Sequence, residues 1–566
     1  MSVIRENLIN AAIDRAYALI DYNIYNNLHE LNKFQKQVIL ADESLTKDEK
    51  SEAIRKLTKI YDSNKIVFNE GIRRVCENCN QKCLATLYCE FCVRNYLKAK
   101  FSNWTSGNDY IDNLIQECQM KAIEPDSIVE WIPYSNLKNI NYLTKGGCSE
   151  IYTAEWIHGR YDEWDSKEQQ LKRFGEQDVV LKRLENFESA NKRWFEEATS
   201  HLNISNKWSD SIVQCYGLTQ DLLNGDYMLV MDKFDTDLRK YLQQNHNQFT
   251  WKERIQIAVN IIDALYKIHH YENAIHRDLH SGNILFAQRS QKFDISDLGF
   301  CGPADKPLKS IYGNLPYIAP EVIAGKETTF KSDIYSIAML MWEISSGQPP
   351  FINYEHDYYL AMNIIKGIRP KIVPGTPIEY KSLMIQCWDA NPLNRPDIVT
   401  SWKKIRELNL YYQNSNSNES TKLEENDNRS EMNSLENYIS SSRLFTSKVH
   451  QFENLSEPRN ATEEEQQAFH SNKSYDFHIP NNIDDFDKLN IRKNSSSKIS
   501  SFFKVNSKKL LKIFKRNSKN DVQEIMQEQI KKYHVNIDDD DEIYNNPNFH
   551  SEEQHEFELP ENMDEN

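Results

Sequence analysis

AIHRDLHSGNILF, residues 274 to 286, is the stretch on which the reading of this 566-residue chain turns. It sets one carboxylate, Asp278, five residues ahead of one amide, Asn283, between apolar residues suited to a core. Fourteen residues beyond Asn283 stands Asp297, at the head of an Asp-Leu-Gly, a distance that fits a short hairpin returning both side chains to one place. An amide oxygen and a carboxylate are what a hard divalent cation takes as ligands. Asp278 then remains to orient or accept the proton of an attacking hydroxyl. Chance rarely produces HRDLxxxN followed at this distance by DLG, so the pair of motifs carries weight that either alone would lack.

Working outward toward the N-terminus, DVVLKRL is a β-branched run whose Lys182 would project inward to neutralise phosphate oxygens. Fifteen residues on, in NKRWFEEATSHL, Glu197 is placed on a helix from which it can ion-pair with Lys182; Glu196 is the competing register. A buried lysine with no such partner would tend to lose its charge. Further upstream, LTKGGCSEIYTAEW sets Leu143 and Ile151 on two antiparallel strands. Their connecting loop holds Gly146 and Gly147, where a missing Cβ lets backbone N–H groups approach phosphates. Only Gly146 is in register with a three-glycine loop, Thr144 and Ser149 standing at the other two positions; taken alone the segment reads equally as a phosphate loop or an ordinary hairpin turn.

Taken together, residues 137–408 resemble the protein kinase superfamily, and most of all its tyrosine-kinase-like group as expanded in fungi. The supporting pieces are Met231-Asp232-Lys233-Phe234 as a hinge, Ala319-Pro320-Glu321 closing an activation segment that opens at Asp297, Ser332-Asp333-Ile334 on the following helix, and CWDANPLNRPD with GIRPKIVPGTP near the end. The resemblance implies an α+β, two-lobed fold: a small lobe with a five-stranded antiparallel sheet and one regulatory helix, and a larger helical lobe, with ATP in the cleft between them. It implies catalytic roles for Lys182, Asp278, Asn283 and Asp297, the last two as Mg²⁺ ligands. Nucleotide contacts are implied for Leu143, Gly146, Gly147, Ile151, Lys182, Glu197, Met231, Asp232, Phe234 and Leu285.

The same resemblance pairs Arg395 with Glu321 and makes Arg277 the partner of a phosphate on Ser310 or Tyr312, the hydroxyls between Gly299 and Tyr317. Transfer to protein serine or threonine in intracellular signalling is the implied function. Leu298 replaces the usual phenylalanine of Asp-Phe-Gly, Asn314 a threonine, and His280 the catalytic-loop lysine. These departures and the thinned glycine loop keep open both tyrosine transfer and a pseudokinase that binds nucleotide as a signalling scaffold.

Outside this domain the chain reads as several segments, since 566 residues exceed what one core supports. Residues 1–73 carry helical periodicity (Ile4, Leu8, Ala12, Ala16, Leu19), and Thr46 with Glu49 forms a capping box for a second helix. Within 74–96, Cys76, Cys79, Cys89 and Cys92 form two Cys-x2-Cys pairs that suit one tetrahedral Zn²⁺ in a zinc knuckle, with Cys83 a spare. Residues 97–133 read as a connecting segment, and 155–177, inside the 134–408 domain, as a surface insertion.

Residues 409–566 are rich in Asn, Ser, Asp, Glu and Lys and read as mostly disordered. Within them, 488–519 carries eleven Lys or Arg and no acid, with Phe503, Leu510 and Phe514 on one helical face: a basic amphipathic segment for an anionic membrane surface or an acidic partner. With 84 acids against 68 bases the net charge is −16, which argues against general nucleic-acid binding. No apolar run is long enough to span a bilayer and the N-terminus lacks a secretory pattern, so a cytoplasmic protein with a peripheral-membrane or nuclear pool is expected.

Overall fold

The computed structural model describes residues 4–22, 24–145, 149–183, 192–221, 223–298, 310–414, 446–453 and 455–471, without the side chains of 192–194, 196, 197, 200 and 310. Three helices open the chain: α1 (Glu6–Ala18), α2 (Leu28–Ala41) and α3 (Lys47–Val67), packed around Ile9, Ala16, Ile39 and Leu57. The Thr46/Glu49 capping box is present but starts the third helix. Arg5 holds the Glu49 carboxylate, at 2.8 Å, against that same end.

The cysteine module follows as a two-residue hairpin, β1 (Arg74–Val75) with β2 (Lys82–Cys83), and α4 (Glu90–Lys98). It is tied to α3 by polar bonds: Lys65 Nζ donates to the Leu84 carbonyl at 2.6 Å, and Asp62 accepts from the Leu87 amide at 2.8 Å.

Residues 97–133 are more than a connector. Ile111, Leu114, Ile115 and Cys118 fall at i, i+3, i+4, i+7 and build α5 (Asp109–Met120), which packs against α6 (Lys192–Lys207) in one apolar cluster with Ala198, Leu202 and Leu218. The segment before the domain therefore packs a second helix against the one expected in the small lobe. The sheet of that lobe holds the five antiparallel strands expected within 134–408 and gains a sixth from the preceding segment, in the order β3 (Glu130–Trp131), β9 (Cys215–Gln220), β10 (Tyr227–Asp232), β8 (Gln177–Arg183), β5 (Glu150–Trp156), β4 (Leu137–Lys145). The extra strand runs parallel to β9 at the edge, and Gly217 permits it: a Cβ there would run into the Glu130 carbonyl.

The expected surface insertion is a docked hairpin, β6 (Tyr161–Asp165) with β7 (Gln170–Arg173). Leu171 is buried among Ala85, Tyr88, Val93 and Leu97 of the cysteine module, and Arg173 closes on Glu130 with two nitrogens. An alternating pattern interrupted by charges hid this in the sequence.

The large lobe is helical. α7 (Leu238–Asn245), α8 (Trp251–Tyr266), α10 (Phe330–Ser346), α12 (Ile378–Cys387) and α13 (Ile398–Asn414) enclose its core, with the short α9 (Pro320–Ile323) and α11 (Tyr358–Ile365) at its side. α10 is buried nearly all round, as an apolar helix must be. A small sheet of β11 (Thr236–Asp237), β12 (Ile284–Ala287) and β13 (Lys292–Ile295) carries the catalytic residues on its loops.

Two tail segments, 446–453 and 455–471, have defined structure. β14 (Ser310–Gly313) pairs antiparallel with β15 (Lys448–Gln451), and residues 455–471, ending in the helix Glu463–Ser471, lie on the large lobe. Existing partners, a strand edge and an apolar surface, supply what the composition of this segment lacks. The basic segment 488–519 lies outside the described residues. Among the described residues no helix is long and apolar enough to cross a membrane.

Candidate active site

Asp278 sits in a loop whose backbone is clamped from below. On α10, Asp333 accepts from the His276 amide at 2.7 Å, the Arg277 amide at 3.0 Å and the His269 imidazole at 2.8 Å. Burial works against the Asp333 carboxylate, yet the His269 bond holds it below the usual carboxylate value. Such a fully engaged buried anion fixes backbone position. The loop needs fixing, because Arg277 has φ +71° and Asp297 φ +49°, conformations that cost energy for any residue but glycine. The Arg277 side chain is exposed.

From this base four side chains converge. Asn283 Nδ2 donates to the Asp278 carbonyl at 2.9 Å, which leaves the amide oxygen as the atom offered outward. The Asn283 carbonyl accepts from the Ser296 amide at 2.8 Å and hydroxyl at 3.0 Å, locking the residue beside Asp297 to it. Lys182, buried on β8, reaches Asp297 Oδ1 at 2.9 Å. Burial opposes the Asp297 charge, and the adjacent Lys182 ammonium keeps this carboxyl below its ordinary value. Burial pushes Asp278 up to about 7, even though the Ser447 hydroxyl donates to it and the Asn314 amide does too.

Around the cleft, Ile151 lies opposite Lys182 in the β5–β8 register, and Met231 opposite Val180. Met231 belongs to the cluster against which Phe234 and Leu285 pack, whereas Leu143 is more than half exposed on β4. The Asp232 amide donates to the Gln214 carbonyl at 2.9 Å. Gly146 and Gly147 lie outside the described residues, as do the side chains of Glu197, Glu196 and Ser310. Among the described side chains, Lys182 pairs with Asp297.

Arg395, fully buried, grips Glu321 with two bonds of 2.7 and 2.6 Å, fastening the end of the activation segment to the large lobe. Tyr312 is on β14, with its backbone paired to Val449. Leu298 is buried.

Residues 137–405 match the sequence model of the protein tyrosine and serine/threonine kinases. They form a protein kinase domain. Among relatives, the dual specificity protein kinase zakA of Dictyostelium discoideum is 32% identical over 199 residues, 32% of this chain and 25% of that protein. The probable serine/threonine-protein kinase roco5 of the same organism is 27% identical over 304 residues, 51% of this chain and 10% of its own. The human dual serine/threonine and tyrosine protein kinase is 32% identical over 173 residues, 30% of this chain and 18% of its own. The chain thus spans a tenth to a quarter of the length of these relatives.

The kinase domain carries groups that motif reading passed over. Asp333 was legible only as part of a helix, because its three bonds converge from positions far apart in the chain. Ser447 lies in no motif at all. α5 had a readable signal in its apolar spacing.

The cysteine module holds a second candidate site. The sulfurs of Cys76, Cys79, Cys89 and Cys92 all lie within 4.8 Å of one another, with Cys76–Cys92 at 3.7 Å and Cys79–Cys89 at 3.6 Å. Four thiolates about 2.3 Å from a tetrahedral zinc stand about 3.8 Å apart, so the donor set fits that ion. Burial pushes Cys92 up to about 11 and Cys89 upward too, so a cation would be needed to draw out their protons. Cys83 donates its thiol to the Arg74 carbonyl at 3.4 Å and stands outside the set of four.

Proposed function

We propose that this chain transfers the γ-phosphate of ATP to hydroxyls of protein substrates, serine and threonine first, in intracellular signalling. The observation that carries the reading is the convergence of Lys182, Asp278, Asn283 and Asp297 on one cleft over a clamped loop. An amide oxygen and a carboxylate kept ionised suit Mg²⁺, which when bound supplies positive charge for the phosphate oxygens. Asn283 and Asp297 would hold the cation, and Lys182 would neutralise the α- and β-phosphates. Asp278 orients the acceptor hydroxyl and takes its proton; a carboxyl near 7 suits that task at neutral pH.

His280, in place of the catalytic-loop lysine, leaves tyrosine transfer open as well. Its Nδ1 accepts the Gly282 amide at 3.0 Å, so Nε2 carries the ring proton beside Asp278. The fungal tyrosine-kinase-like assignment rests on CWDANPLNRPD and GIRPKIVPGTP alone. The four-cysteine module is assigned a structural zinc, and the protein is placed in the cytoplasm, with a membrane-surface or nuclear pool through the 488–519 segment. The test is transfer from Mg·ATP by the purified full chain, wild type beside Asp278→Asn, with phosphosites mapped. The variant should lose about 10²–10⁴ of the rate. A full chain that binds ATP but transfers nothing would instead favour the nucleotide-binding scaffold.

A further inference from the structure

Ser447 lies 169 positions beyond Asp278 in the chain, yet its hydroxyl donates to Asp278 Oδ1 at 2.9 Å and meets His280 Nε2 at 3.0 Å. Since Gly282 fixes the proton of His280 on Nε2, the imidazole donates to the Ser447 oxygen and turns the hydroxyl hydrogen toward the carboxylate. Burial holds His280 well below its ordinary protonation range, so it stays neutral in this role. The hydroxyl itself is buried. It is therefore oriented at both ends, as a nucleophile awaiting a phosphoryl group has to be.

The backbone around Ser447 is held in the manner of a bound peptide. Lys448 to Gln451 add a strand to the activation segment, Gly313 opposite Lys448 and Ser310 opposite Gln451, and His450 Nε2 bonds the Gly313 carbonyl at 3.1 Å. Strand addition of this kind draws affinity from main-chain bonds and sets which side chain meets the site. Downstream the segment has a built dock on the large lobe. Gln466 bonds the Arg369 amide at 3.3 Å and the Gly367 carbonyl at 2.8 Å, Asn460 accepts from the Ala390 amide at 2.9 Å, and Phe469 stacks on Tyr354 at 4.9 Å. The chain passes so close to Gly367 that a Cβ there would overlap the Ala461 amide.

We propose that Ser447 is an intramolecular phosphoacceptor of this kinase domain, delivered by the 446–471 segment, which closes the peptide groove to other substrates while it is seated. The proposal rests on the kinase reading above. Ser447 Oγ forms a bond to the γ-phosphorus of ATP as the bond from that phosphorus to the bridging oxygen breaks. The electron pair leaves with ADP, and the hydroxyl proton passes to Asp278 and on to water. The product carries a charge of about −1.5 to −2 beside a buried carboxylate, which expels the strand from the groove.

The test uses the dephosphorylated full chain with Mg·ATP, with and without an added serine peptide. Phosphate should appear on Ser447 with a rate constant independent of protein concentration. Phe469→Ala, outside the catalytic machinery, should slow Ser447 phosphorylation about tenfold or more by removing the local delivery, and raise transfer to the peptide. A readout independent of turnover is amide hydrogen exchange at Lys448–Gln451 without nucleotide: slow in the wild type and in Ser447→Ala, fast in Phe469→Ala. Ser447 left unmodified by a chain that phosphorylates the peptide would overturn the proposal and leave the kinase reading standing. A Ser447 rate proportional to protein concentration, or fast exchange in the wild type, would also overturn it. Failure of both the wild type and the folded Phe469→Ala chain to phosphorylate Ser447 or the peptide would remove the kinase reading itself.

Discussion

The catalytic loop and the tail strand meet at the Ser447 hydroxyl, which donates to Asp278 and is bonded by His280, but they are held by opposite means. The loop His276–Asn283 is fixed from inside by buried polar groups, above all Asp333, and its neighbour the activation segment by the Arg395–Glu321 pair. The strand Lys448–Gln451 is fixed from outside, by main-chain pairing to an edge and by a few side chains against a surface already formed. Buried ionic clamps are costly to break and stay put; edge pairing with modest apolar cover opens locally at small cost. A device that must hold phosphates needs the first kind of support, and a substrate that must arrive and leave needs the second.

The comparison can be broken by substitution. The cysteine module should behave as an extreme of the first kind. Structural zinc is worth roughly 10–16 kcal/mol in zinc-finger peptides, so chelation of the purified chain should release one zinc and unfold residues 74–98, seen as proteolysis there. Next, Arg395→Ala strands Glu321 in the core and should cost about 3–5 kcal/mol in urea unfolding. Asp333→Ala removes three bonds to a buried anion, each of a kind worth about 1.5–3 kcal/mol. It should lower transfer more than it lowers ATP affinity, because it frees the loop and not the nucleotide cleft. Phe469→Ala should change global stability by about 1 kcal/mol or less, its effect confined to local exchange in the tail. A Phe469→Ala penalty as large as that of Arg395→Ala would mean that the tail belongs to the core.

The same contrast explains what was legible in the sequence. The catalytic loop could be read because its residues are contiguous and their types are dictated by the chemistry they perform. The pairing of Arg395 with Glu321 followed from the family resemblance rather than from spacing, and the two side chains do meet. The extra strand at Glu130, the docked hairpin after Tyr161 and the tail strand were not legible, since each owes its order to a partner distant in the chain. For Lys448–Gln451 the partner is the activation segment, and no local periodicity of four residues announces it. Helix α5 is the exception: Ile111, Leu114, Ile115 and Cys118 carried a readable stripe within a segment whose polar ends read as a connector.

The most direct test of the central claim is single-turnover phosphate transfer by the full chain with Mg·ATP, compared with Asp278→Asn under conditions where both bind ATP. Phosphoprotein formed by the wild type and reduced by about 10²–10⁴ in the variant is the predicted result. Equal transfer by the two proteins, or none by a wild type that binds ATP, would contradict it.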